Sequence, residues 1–217
     1  MMSAAPAVVC LVATGALVFA EHREHTLLRI ASKLMASGAF LAQAWVCELP
    51  WAGPPGLVLS IGLLASAVGD FALLGRSERR FLLGLGAFLW AHFAYGGAFW
   101  LLGVDLMSTA MTGVVAALVG GLAWRWLAPH VGSMRLPVLG YMVAICAMVA
   151  LAGGALGAQP DTGRGILFGS AWAFLISDLC VARDQFVAPG PKNRTVGLPL
   201  YFLSQLGFIW GVACASP

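Results

Sequence analysis

Charge is what this sequence has least of. Only 10% of its 217 residues are Asp, Glu, Lys or Arg, whereas 60% are hydrophobic and the mean hydropathy is +0.89. A water-soluble globular domain carries about 25% charged residues, so that class is excluded, and no polar stretch is long enough to form a soluble appendage. Cysteine is sparse too. Cys10, Cys47, Cys146, Cys180 and Cys214 lie in or beside apolar runs without CxxC or other metal-ligand spacing, which marks them as reduced packing residues. Histidine occurs four times, and only His92 falls inside an apolar run. The excess of 12 basic over 9 acidic residues gives a net charge of +3, too small and too dispersed to point to nucleic acid.

What remains is apolar sequence with regular polar breaks. Taking about 20 residues per crossing, the chain holds eight spans, near 4–20, 30–47, 56–74, 81–102, 106–124, 137–157, 165–182 and 196–215. This predicts an all-α polytopic membrane bundle, residues 1–217 forming a single domain. The first, third, fifth and seventh links carry Arg23, Arg29, Arg76, Arg79, Arg80, Arg125, Arg135, Arg183, Lys192 and Arg194, while the opposite side has Arg164 alone. Basic residues accumulate on the cytoplasmic side. The expectation is therefore basic links inside, both termini outside, and residence in a bacterial inner membrane. Residues 1–20 end in "VFA", as a cleaved signal peptide does, but lack a basic leader. Their removal would invert the topology, so they are expected to stay as the first span.

Against this background two acids are out of place. "SAVGDFALLG" puts Asp70 inside the third span, and "AFLISDLCVAR" puts Asp178 inside the seventh. Both spans run inward and end in arginine, so at ~1.5 Å per residue Asp70 lies about 9 Å from Arg76 and Asp178 about 7–8 Å from Arg183. A carboxylate at mid-membrane costs ~2.5–3.5 kcal/mol on insertion scales and normally faces a cavity or a partner. A salt bridge to Lys33, one turn beyond Arg29, would account for one acid but hardly for both. Tyr201 and Gln205 are i, i+4 neighbours in the eighth span, and His92 and Tyr95 are i, i+3 neighbours in the fourth. Polar side chains from five spans are thus expected to converge on one chamber open toward the cytoplasm. Asp105, Asp161, Asp184 and Glu48 fall in links and read as solvated. Gly96–Gly97 and Gly153–Gly154 read as close helix contacts. The two Asp-before-Arg segments give a faint same-direction repeat between the halves.

The ordered set "RIASKLM", "SAVGDFALLG", "GLGAFLWAHFAY", "AFLISD" and "YFLSQ" resembles the YhhN, or lysoplasmalogenase, family of eight-helix membrane proteins. That pattern reads R-x-x-x-K-P-L, G-D, a-H-x-x-Y, F-x-x-S-D and Y-x-x-x-Q. The match runs from about Arg29 to Gln205, with Leu34 standing where the pattern has proline. The resemblance implies hydrolysis of the vinyl-ether bond of a lysophospholipid substrate, giving a fatty aldehyde and glycerophosphoethanolamine or glycerophosphocholine.

The residues suit that chemistry on their own terms. Protonating the β-carbon of a vinyl ether creates an oxocarbenium ion, to which water adds. This needs one acid that keeps its proton and one negative charge that favours the cation, as in glycosidases. Asp178 is read as the acid and Asp70 as the stabiliser or base, helped by Lys33. His92, Tyr95, Tyr201 and Gln205 are read as holding the water or the glycerol hydroxyl. Lys33, Arg29 and Arg194 are placed where a lipid phosphate rests, with the apolar part of the bundle taking the tail. No cofactor or metal is expected: a zinc-dependent lipid amidase wants about three histidines at the metal. The other alternative is a proton-coupled transporter or lipid-binding protein using the acids as a relay, which broken helices would favour.

Overall fold

A computed structural model describes residues 3–75 and 77–215 of the chain; Arg76, one of the basic residues used above to orient the bundle, lies outside them. Among the described residues there are eight long α-helices and no strand. They are α1 (Ala5–His22), α2 (Thr26–Val46), α3 (Gly53–Ala72), α4 (Glu78–Leu101), α5 (Leu106–Leu127), α6 (Arg135–Ala158), α7 (Thr162–Ala182) and α8 (Pro191–Cys214). A π-helical turn, Arg183–Val187, prolongs α7.

Each helix coincides with one apolar run, but several begin earlier than hydropathy suggests. Their first turns are polar and set by caps, which an apolar window does not register. His25 Nδ1 accepts the Leu28 N–H at 3.2 Å to start α2, and Ser77 accepts that of Arg80 at 3.3 Å to start α4. Pro191 opens α8 with the fixed φ that suits a first helical position. The same logic corrects the reading of the link acids as merely solvated. Asp105 caps α5 by accepting both the Ser108 N–H and hydroxyl, which hold its carboxyl below the ordinary range. Asp161 caps α7 through the Arg164 N–H and also pairs with the Arg164 guanidinium. Asp184 is engaged as well, at the site described below, whereas Glu48 is exposed as expected.

Seven of the helices are long and apolar enough to cross a membrane; α2 is the one that falls short. Its deficit is local and purposeful, because Ser32, Ser37 and Gln43 are polar but buried within the bundle. The outward surface is greasy, with Leu27, Trp90, Leu106, Met107, Leu122 and Leu136 all strongly exposed. An apolar exterior of this kind suits lipid rather than water.

In lipid the helices gain nothing by hiding apolar surface from each other, so close packing must hold the bundle. α1 packs along α2, α3 along α4, α5 along α6 and α7 along α8, with α4 and α6 joining the halves. Small residues sit at these seams. Gly153 lies against Thr112 and Gly154 against Thr109 where α6 meets α5, and a β-carbon on Gly96 would come 3.1 Å from Leu151 where α4 meets α6. The tightest seam joins α7 to α8. There a β-carbon on Gly163 would meet backbone, lying 2.6 Å from the Gly211 carbonyl oxygen and against the amide of Ala215. All five cysteines are free thiols.

Backbone cannot step aside as a side chain can, so Gly163→Ala is expected to destabilise the bundle by ~1–3 kcal/mol, as overpacking does. Gly15→Ala, at a position with open space around it, is expected to leave the thermal unfolding midpoint in detergent unchanged. Equal midpoints for the two variants would contradict the α7–α8 packing.

Candidate active site

The bundle encloses a cavity of about 630 Å³ to which all eight long helices contribute. Asp70 and Asp178 both line it, together with Lys33, Tyr201, Arg29 and Arg194. The remaining residues singled out from the sequence stand behind its wall. His92, Tyr95 and Gln205 are completely buried and do not line the cavity.

Asp70 is held by two helices besides its own. The Tyr201 hydroxyl from α8 and the Ser37 hydroxyl from α2 each donate to Oδ2 at 2.7 Å. The Lys33 ammonium, also on α2, lies 3.4 Å from Oδ1. The carboxylate thus has a cation and two O–H donors, an arrangement that suits its ionised form. Gly69 makes the placement possible: a β-carbon there would sit 2.6 Å from the Phe88 ring, so only glycine lets α4 close against α3 beside the acid. Ser66, one turn earlier on α3, joins Tyr95, whose hydroxyl donates to Gln205 Oε1 at 2.7 Å. Because the single Tyr95 proton is used on Gln205, Ser66 is the donor in the 2.9 Å contact between them.

Asp178 has a different shell. Its Oδ2 accepts from the Tyr141 hydroxyl of α6 at 2.6 Å, and His92 Nε2 lies 3.7 Å from the same oxygen, beyond hydrogen-bond range. Among the described residues no lysine or arginine pairs with it. Ser177, its neighbour in the "SD" pair, donates to the Gly197 carbonyl of α8 at 2.9 Å and so fixes how α7 sits on α8 at this level. The His92 ring is wedged edge-on between the rings of Tyr141 and Phe174, each with its centroid 4.9 Å away.

The sequence reading brought the two acids to one chamber. In the structure neither hydrogen-bonds the other. Aromatic rings stand between their shells: Phe174 lies 5.5 Å from Tyr201 on one side and 4.9 Å from His92 on the other, with Phe88 beside them. Whatever asymmetry the pair possesses therefore comes from unlike partners and not from direct contact.

The cavity mouth also differs from a simple basic rim. Arg194 is clamped between Glu21 of α1 at 2.6 Å and Asp184 of the π-helical turn at 3.0 Å. Asp184 further accepts from the Gly190 N–H and the Asn193 amide. Arg29 donates from Nη2 to the Leu74 carbonyl at 3.2 Å, but its buried Nε has no hydrogen-bond partner. Among the described residues no three His, Cys, Asp or Glu side chains cluster as a metal site.

Tyr141, Ser37 and Ser66 are site residues that sequence reasoning missed. Tyr141 sits in an apolar span with no second polar residue at helical spacing. The serines look like ordinary small residues at a helix seam. Only the pairing of helices turns them into donors.

Residues 28–212 match the YhhN family, and the chain belongs to it. It is 31% identical over 164 residues to "Lysoplasmalogenase TMEM86A" of Homo sapiens, covering 71% of this chain and 65% of that protein. To the Bos taurus protein of the same name it is 29% identical over 160 residues, 70% of this chain and 64% of that one. To "Lysoplasmalogenase" of Mycobacterium tuberculosis (strain CDC 1551 / Oshkosh) it is 32% identical over 166 residues, 69% and 59%. The matched stretches thus span under two thirds of each relative's length. No solved structure matches the chain significantly.

The Lys33–Asp70 geometry carries a direct test. Lys33→Met leaves a buried carboxylate without its cation and is expected to destabilise the protein by on the order of 3 kcal/mol. Adding Asp70→Asn is expected to recover much of that loss in thermal unfolding. Losses that simply add would show that the two groups do not interact.

Proposed function

We propose that this YhhN-family chain is an integral-membrane hydrolase that cleaves the vinyl-ether bond of lysoplasmalogens, releasing a fatty aldehyde and glycerophosphoethanolamine or glycerophosphocholine. In this reading all eight helices cross a bacterial inner membrane, the basic links face the cytoplasm, both termini face out, and no cofactor is used. The names of the relatives support the reaction. The observation that carries it is a single chamber, open among apolar helices, lined by two carboxylic acids with unlike partners.

Those partners divide the labour. Asp70, facing Lys33 and two hydroxyl donors, acts as the fixed negative charge. Asp178, with one hydroxyl donor and, among the described residues, no lysine or arginine paired with it, acts as the acid. Its proton moves to the β-carbon of the vinyl ether, and the electrons of the double bond form the new C–H bond. The adjacent carbon becomes an oxocarbenium ion, which the Asp70 carboxylate stabilises in a site poor in water. Water adds to that carbon, and the proton it loses restores Asp178. The hemiacetal then collapses: its hydroxyl becomes the aldehyde carbonyl, and the glycerol oxygen leaves as an alcohol.

His92, Tyr95 and Gln205 act from behind the wall. Tyr141 holds the Asp178 side chain by its hydrogen bond and His92 packs beside Tyr141, while the Ser66–Tyr95–Gln205 chain braces α3 and α8 around Asp70. Tyr201 lines the chamber and holds Asp70 itself. Arg29, with its free Nε, receives the lipid phosphate. Arg194 serves chiefly to hold the mouth together, because two carboxylates already take up its charge.

Purified protein incubated with ether and ester lysolipids is expected to release aldehyde from vinyl ethers and no fatty acid from esters. Asp70→Asn and Asp178→Asn should each reduce aldehyde release by about 10²–10⁴-fold, the range for removing a general acid or base. In heavy water the aldehyde should gain one deuterium on the carbon next to the carbonyl. In ¹⁸O-water the glycerol product should keep its original oxygen. Full activity in both Asn variants, or an aldehyde without deuterium, would end the proposal.

A further inference from the structure

The cavity does not end at the two acids. Its lining also includes Val119, Gly120 and Ala123 of α5, Ile145 and Cys146 of α6, and Leu175 of α7. Every one of these side chains is apolar or absent, and each belongs to the same continuous space as Asp178.

Two features keep this arm open. α5 packs along α6 and touches the π-helical turn, but among the described residues it makes no extended contact with α7. Its wall is also built from small residues where it passes the cavity: Gly120 lies directly against Cys146, and Ala123 is buried at the wall. The neighbouring Gly121 faces outward with open space around it. The small residues therefore mark the inner face of the helix, whereas the outer face of α5 carries Leu118 and Leu122 toward lipid. A slot between two helices that do not pack along each other, lined by apolar residues and continuous with a polar chamber, has the chemistry of a site for an alkyl chain.

We propose that the α5–α7 slot is the binding channel for the hydrocarbon tail of a single-chain lipid, and that Gly120 and Ala123 set how much chain it admits. This rests on the reading of the chamber as a lysolipid hydrolase and assigns that reading's tail subsite. The tail passes sideways into the membrane while the reacting end stays at Asp178. Filling the slot from α5 then excludes the tail without touching either acid.

Two measurements separate this inference from the reaction it rests on. The first uses the wild-type protein and an uncleavable probe, a saturated alkyl-ether lysophospholipid. Cys146 lines this part of the cavity, its thiol donating to the Ala116 carbonyl of α5 at 3.3 Å, so a long-chain probe is expected to slow its alkylation by a small maleimide, followed by peptide mass spectrometry. An eight-carbon probe is expected to protect it much less, and the exposed Cys214 should be unaffected. The second uses Ala123→Phe, with Gly121→Phe on the outer face of the same helix as control. Ala123→Phe is expected to lower kcat/KM about tenfold or more on long-chain vinyl ethers while largely sparing eight-carbon ones, in line with the worth of a few methylenes in an apolar pocket. Gly121→Phe should change neither. Equal alkylation of Cys146 with and without the long-chain probe would overturn the channel, whether or not Ala123→Phe folds. So would a loss in Ala123→Phe that is the same at every chain length. Protection of Cys146 by a protein that releases no aldehyde would retain the channel and reject the reaction.

Discussion

The burial of Asp70 is the constraint around which the rest of this bundle is arranged. A carboxylate inside an apolar helix is costly unless cations and donors surround it. Here those partners come from two other helices, Lys33 and Ser37 from α2 and Tyr201 from α8. The acid therefore fixes the relative positions of α2, α3 and α8, which hydrophobicity cannot do inside a membrane. It also explains why α2 is the one long helix that falls short of the apolar content of a membrane span. Its polar residues are satisfied inward, so its composition reflects what it serves and not what solvent it faces.

The second acid, on α7, is held from α6 by Tyr141, and the aromatic rings of Phe88 and Phe174 keep the two shells apart. The arrangement gives a single chamber two carboxyl groups in unlike surroundings. Two acids in direct contact share their protons as one unit. Two acids with independent partners can keep separate states, which a reaction needing both a proton donor and a fixed negative charge requires.

Much of this was legible in the sequence because the bilayer imposes strong rules. Apolar runs of fixed length mark helices, and isolated charges inside them mark sites. On that basis the meeting of Asp70, Asp178 and Lys33 at one cavity was legible, and the glycine pairs at 96–97 and 153–154 do lie at helix seams. The partners were harder. Tyr141 and Ser37 are unremarkable until α6 and α2 are placed beside the acids, since no spacing along one helix encodes a contact between two. His92, Tyr95 and Gln205 showed the limit of depth arguments: helical spacing gives their level in the membrane, but not whether they face the chamber or lie behind its wall. Link acids were misread for a related reason. Asp105, Asp161 and Asp184 look like loop residues in one dimension, yet backbone amides and arginines at helix ends recruit all three.

The clamp on Arg194 bears on how the mouth of the cavity holds its shape. Its guanidinium stands between Glu21 of α1 and Asp184 of the π-helical turn, so one cation ties three parts of the chain together. Remove it, and two carboxylates are left facing each other with nothing to offset their repulsion. The rim is thus a strut under electrostatic compression, and its closure rests on a single side chain.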